Sequence, residues 1–234
     1  MFETLLAKTF TILGSQLFVT WLATVGVITW IRHLYHSGAN GVTATRTLDG
    51  KLDLDLNWSM IKPYFFTLLI VDIAVFLVLL FKGTQNLALG IPLFTIWSIL
   101  TGIELALALI SVDENLGSKV LAITATITFI AALIGMYSGI DFAFLGIFFF
   151  GALILLLIGN LIRLFIAIPR ASQRVMAFFG VIIFTGYLLF DFNRLAKLEE
   201  REAANSWSVA MDLAIDIYLD IINLFLELLD LLSN

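Results

Sequence analysis

Residues 209–232 read VAMDLAIDIYLDIINLFLELLDLL, and the reading of this stretch decides the fold. It is long enough for a membrane-crossing helix, yet Asp212, Asp216, Asp220, Asn223, Glu227 and Asp230 recur in it at intervals of four, four, three, four and three. At 100° per residue these six positions fall within about 80° of arc, so one face of an otherwise apolar helix is a carboxylate stripe. One reading is an interfacial helix with its acidic face in water. Such helices are usually rich in Lys and Arg and drawn to anionic lipid, whereas headgroup phosphates repel this stripe. The favoured reading is a helix that lines a cation-attracting aqueous path or packs its polar face inward. A stripe this dense cannot be fully ionised at low dielectric, so its members titrate as coupled groups and suit a pH-sensitive gate or a proton relay.

The rest of the chain places that helix in a membrane. Of 234 residues 61% are apolar and 13% charged, and the mean hydropathy is +1.04. Soluble domains run at roughly 45–50% and about 25%, so a water-soluble monomer is excluded. The net charge of -5, without a basic block, gives no support for nucleic-acid binding. With no cysteine there is no disulfide, thiolate metal site or cysteine nucleophile. Seven stretches are long enough to span a bilayer, at about 9–31, 63–81, 87–112, 120–138, 142–168, 175–192 and 209–232. The expected fold is an all-α seven-transmembrane-helix bundle forming a single membrane domain. The first stretch lacks a small-residue cleavage site and is expected to stay as a span. Pro63 is expected in the first turn of the second helix, and Trp30, Trp58, Tyr64, Tyr137 and Trp207 near span ends.

The polar connection 33–61 is the exception among short loops. Within it, 47–56 alternates around Asp49-Gly50, which predicts a hairpin. Its acids Asp49, Asp53 and Asp55 do not have the spacing of a calcium loop. His33 and His36, three apart at a span end, read as interface histidines rather than metal ligands.

Ionisable groups inside spans are costly, so each needs a reason. Asp72 lies near the middle of the second span and Glu104 well inside the third; each fits a structural or a functional role. Arg163 is placed to snorkel to the interface. Asp191 ends the sixth span beside Arg194, a position that suits a cap or surface pair as well as a functional acid.

Phe190-Asp191-Phe192-Asn193-Arg194-Leu195, then Ala214-x-x-x-Tyr218-Leu219-Asp220-x-Ile222-Asn223-Leu224-Phe225-x-x-Leu228-Leu229, resembles the closing signature of the Bax inhibitor-1 family. Thr101-Gly102-Ile103-Glu104-Leu105 is similar to that family's third helix, and Tyr137 to Phe142 followed by Gly146 to its fourth-to-fifth junction. The resemblance implies seven helices with the acidic last helix central. It also implies an aspartate pair that shares a proton and gates a calcium leak. Those positions fall on Asp191 and Asp220, which are thereby the candidate calcium-contacting residues, with calcium as a passing ion and no cofactor. Implied partners are cell-death, stress or calcium-handling proteins in eukaryotes and a membrane protease in bacteria. The implied location is a bacterial cytoplasmic membrane, or an endomembrane in a eukaryote.

Departures from the pattern are Phe190 where Tyr is common, and Asp216 as a third carboxylate. Glu227 and Asp230 extend the acidic face. Where the family suggests an Arg latch, only Lys82 is available. The expectation is a pH-sensitive calcium or cation leak gated by Asp191 and Asp220 with Asp216. Asn223, Glu227, Asp230 and Glu104 support the path, and Asp72, Lys82 and Arg194 serve as latch or surrounding shell. The alternatives are a non-conducting regulatory scaffold and a proton-coupled transporter. An enzyme is not expected: the Gly-x-Gly-Asp of intramembrane aspartyl proteases is replaced by Tyr218-Leu219-Asp220, and no lysine beyond Lys197 can hold retinal.

Overall fold

A computed structural model describes residues 3–38, 41–46, 52–110, 112, 114–163, 166 and 168–233. Seven long α-helices and one hairpin account for most of them: α1 (Leu5–His36), β1 (Val42–Arg46), β2 (Leu52–Leu56), α2 (Trp58–Val78), α3 (Leu87–Leu109), α4 (Glu114–Tyr137), α5 (Ala143–Arg163), α6 (Arg170–Glu199) and α7 (Trp207–Leu232). Helices α1 to α6 are long and apolar enough to cross a membrane. Helix α7 matches them in length but is set apart by charge, because its stripe puts five acids into 26 residues. Six of the seven expected spans are therefore matched by helices apolar enough to cross a membrane, and the seventh stretch is an amphipathic helix.

Helix ends follow caps rather than hydropathy, and several boundaries move accordingly. Asn57 accepts a hydrogen bond from the Ser59 N–H and starts α2 at Trp58, so Pro63 lies inside the helix and not in its first turn. Asn86 caps α3 and Ser206 caps α7 in the same way. Helix α2 runs into a π turn, Leu79–Gly83, where a Cβ on Gly83 would stand 2.7 Å from the Leu79 side chain. Helix α6 is longer than its apolar run at both ends. The expected end of the fifth span, beyond Arg163, falls partly on residues outside the described ones, as does the Arg163 side chain.

The chain divides into two compact units, Met1–Leu13 with Asn115–Asn234, and Gly14–Glu114. In the second, Gly102 lets α3 approach α1 closely: a Cβ there would meet the Thr20 carbonyl and the Ala23 Cβ at 2.6 Å. Thr24 donates to the Gly102 carbonyl at 3.0 Å, and Ser98 donates to Gln16 at 3.0 Å. The hairpin is antiparallel, with Val42 opposite Leu56 and Ala44 opposite Leu54. Those four residues pack with Ile31 and Ile110 at the ends of α1 and α3. A hairpin is present, but its first strand is 42–46, ahead of the 47–56 stretch in which the alternation predicts it, and the Asp49-Gly50 turn lies outside the described residues.

In the first unit α6 packs against both α5 and α7. Gly186 makes the α5 contact possible, since any Cβ there would run into the Phe149 ring. The outward surfaces of α1 to α6 carry exposed aromatic and aliphatic side chains such as Phe18, Ile70, Phe129, Phe148, Leu155 and Phe178, as lipid contact demands. Trp30, Trp58, Tyr64, Tyr137 and Trp207 are all exposed, and all stand within two turns of a helix end.

Candidate functional site

The motif at 190–194 works as five separate contacts on one helical turn and a half. Phe190 lies where a Cβ on Gly146 would be 3.1 Å from its ring, which docks α5. Phe192 stacks on Phe10, centroids 6.2 Å apart. The Asn193 amide donates to the Gly135 and Ile140 carbonyls, both at 3.0 Å, and its oxygen accepts from the Phe142 N–H at 3.2 Å. It thereby ties the α4–α5 junction to α6. Asp191 and Arg194 turn the other way, toward α7.

Asp191 and Asp220 are 4% and 7% exposed, and their carboxyl groups hydrogen-bond to one another. Two carboxylates carry only acceptors, so such a bond needs a proton on one of them. Among the described residues Asp220 Oδ2 has no hydrogen-bond partner. One turn away, Arg194 Nη1 donates to Asp216 Oδ2 at 2.8 Å, with both side chains partly exposed. Tyr187, one turn before Asp191, interacts electrostatically with both Asp191 and Asp220. It brings a phenol near the pair that Phe190 does not supply. Its spacing of four from Asp191 on α6 was the available signal.

The rest of the stripe is paired as well. Asn223 turns its amide back to the Leu219 carbonyl at 2.8 Å. Glu227, 7% exposed, accepts from Asn160 of α5 at 3.3 Å. Its carboxyl carbon occupies the space that a Cβ on Gly180 would fill, 2.5 Å away. Asp230 meets Arg170 at 2.5 Å, and the same guanidinium donates to the Asp230 carbonyl and to Ser233. Asn160, Arg170, Gly180 and Tyr187 are thus site residues that sequence reasoning did not single out.

The other expected site residues belong to the second compact unit. Asp72 on α2 accepts from the Trp97 indole N–H at 3.3 Å, and Glu104 on α3 interacts electrostatically with Asp72. Trp97 itself sits between Phe76 and Phe94. Lys82 lies exposed on the π turn. Among the described residues no three His, Asp or Glu side chains gather as a metal-ligating group. Calcium takes six to eight oxygens, more than the carboxyl groups of Asp191 and Asp220 supply by themselves.

This is a polytopic, predominantly helical integral membrane protein with carboxyl groups buried between its last two helices. The model of the family described as Inhibitor of apoptosis-promoting Bax1 matches residues 3–234, and the chain belongs to that family. Protein LIFEGUARD 1 of Arabidopsis thaliana is 38% identical over 96 residues, which is 41% of this chain and 38% of that protein. Protein LIFEGUARD 4 of the same plant is 43% identical over 91 residues, 39% of this chain and 34% of that one. An uncharacterized membrane protein of Streptococcus pyogenes serotype M6 is 30% identical over 148 residues, 62% of this chain and 63% of that protein. The chain thus spans less than two thirds of the length of these relatives. The resemblance carried by 190–195 and 214–229 identified the family correctly.

Proposed function

We propose that this protein is a pH-sensitive calcium or cation leak of a seven-span bundle, with α7 crossing the membrane among the apolar helices. The observation that carries this reading is the carboxyl-to-carboxyl hydrogen bond between Asp191 and Asp220, buried between α6 and α7. With its proton the pair is a link between the helices. Without it, two like charges about 4 Å apart repel by about 4 kcal/mol at an effective dielectric constant of 20, against roughly 1 kcal/mol for the hydrogen bond lost. Deprotonation therefore drives α6 from α7 and leaves two anions to receive a cation. Asp216 sits on the approach, its charge balanced by Arg194, and Asn223, Glu227 and Asp230 continue the polar face. Calcium is cargo, with no resident cofactor, and no catalytic role is proposed. The membrane is a bacterial cytoplasmic membrane or a eukaryotic endomembrane.

A second reading is a non-conducting scaffold that engages a membrane protease or a cell-death or stress protein. What favours it is that the acids at 216, 220, 227 and 230 each have a partner on α5 or α6, as in a sealed cluster. Calcium flux into liposomes at mildly acidic and mildly alkaline pH separates the two. Flux that rises with pH and loses that dependence in Asp191→Asn or Asp220→Asn supports the leak. No flux above empty liposomes, with folded protein, leaves the scaffold.

A further inference from the structure

The first two turns of α1 lie against the α6–α7 hairpin that carries both aspartates. Helix α1 starts with orphan backbone donors, and one of them, the Leu6 N–H, is taken by Glu199 Oε2 at 2.7 Å. Two residues on, Lys8 Nζ donates to Asn205 Oδ1 at 2.7 Å and to the Asn205 carbonyl at 3.1 Å. The Asn205 amide returns a bond to the Glu3 carbonyl at 2.6 Å. Lys8 also stands 5.8 Å from the centre of the Trp207 ring, at the first residue of α7. Two residues further, Phe10 stacks on Phe192, next to Asp191. Leu5, just before Leu6, and Thr9, between Lys8 and Phe10, are fully buried. One short segment thus grips the last turn of α6, the connection, the start of α7 and the neighbour of a gate aspartate. The connection has little else to hold it: Arg201, Glu202 and Ala203 are exposed, and its short 3-10 turn Glu202–Ala204 has no buried residue.

We infer that the N-terminal end of α1 is a strap that holds the α6–α7 hairpin closed, with Lys8 and Glu199 as its positioning residues. The effect on the Asp191–Asp220 contact rests on the leak reading above; the grip on the connection does not. A lysine is suited to this task because its ammonium satisfies two acceptors of Asn205 at once while lying over an aromatic ring. The chain's N-terminal segment then becomes the place where a modification or a bound protein loosens the gate without touching either aspartate.

The test compares wild type with Lys8→Met, Lys8→Arg and Asn205→Ala in liposomes, by amide hydrogen exchange and by calcium flux across pH. In Lys8→Met, exchange across 199–209 is expected to rise roughly tenfold while exchange in α4 stays unchanged. Half-maximal flux is expected at lower pH, because a freed hairpin separates its carboxyls more readily. Lys8→Arg restores both readouts, and Asn205→Ala repeats the effect of Lys8→Met should that variant fold poorly. Unchanged exchange at 199–209 in both Lys8→Met and Asn205→Ala overturns the strap. Faster exchange with an unmoved flux profile overturns its link to the gate. Absence of flux in wild type removes the leak reading, and the exchange result then decides the strap alone.

Discussion

Arg170 and Asp230 join the first residue of α6 to the last turn of α7 through a contact of 2.5 Å. The guanidinium also takes up the Asp230 and Ser233 carbonyls and the Ser233 hydroxyl, so it caps the negative end of α7 as well as pairing with its acid. Its flat fork carries five donors to an ammonium's three, and so reaches acceptors on both Asp230 and Ser233. Arg170→Met is expected to cost about 1–2 kcal/mol and to fray the end of α7. Arg170→Lys should recover less than half of that. Thermal unfolding in detergent and exchange at residues 228–233 measure both effects.

The Arg194–Asp216 pair is a different kind of contact. Its side chains are 41% and 37% exposed, so water screens it despite the 2.8 Å separation. A double-mutant cycle with Arg194→Met and Asp216→Asn is expected to give a coupling of only about 0.5–1 kcal/mol in unfolding free energy. A coupling several times larger would mean that the pair is shielded from water in the membrane.

Two glycines on packed faces should differ in what replaces them. At Gly102 a Cβ meets backbone, the Thr20 carbonyl at 2.6 Å, and only a shift of α1 against α3 relieves it. At Gly180 a Cβ meets the carboxyl end of Glu227 at 2.5 Å, a side chain that can swing. Gly102→Ala is expected to cost roughly 2–3 kcal/mol in unfolding free energy and Gly180→Ala roughly 1–2 kcal/mol. Adding Glu227→Ala to Gly180→Ala should return part of the loss.

Asn193 is the joint between α6 and the α4–α5 junction. Asn193→Ala orphans two carbonyls and one N–H at a largely buried site, and an expected cost of about 2–4 kcal/mol follows from three lost hydrogen bonds. Asn193→Asp keeps the acceptor for Phe142 and loses both donations. It should fall near the upper end of that range at neutral pH and improve as pH is lowered. Denaturation midpoints of the two variants across pH check this.

Outside the spans, Lys197 contacts Asp141 at the start of α5, where Asp141 also accepts from the Ala143 N–H. The Lys197 hydrogen bond, with that N–H, holds the Asp141 carboxyl below its ordinary value of 3.8. A lowered carboxylate contributes stability above its unfolded value, and the contribution disappears as pH falls through the folded one. Lys197→Met is expected to raise the Asp141 titration midpoint toward 3.8, read by carboxyl-carbon resonance, and to leave stability at neutral pH little changed.

The amino-acid order by itself determined that this chain belongs in a membrane, where its helices lie to within a turn or two, and which residues form the acidic face of α7. These are local properties: a hydropathy run, a helical period and a period of two over 47–56 are written in neighbouring residues. Even so, Asn57 moved the start of α2, and the charge of its five acids sets α7 apart from the six spanning helices among the described residues. The tertiary structure alone decided what each acid meets. Arg194, Asn160 and Arg170 lie 22, 67 and 60 positions from Asp216, Glu227 and Asp230, and no periodicity links such distant residues. The stripe reads as bare charge in sequence because its partners are single side chains on other helices. Gly180 is invisible until Glu227 fills the space beside it, and Lys8 looks like an ordinary terminal base until α1 packs across the turn from α6 to α7.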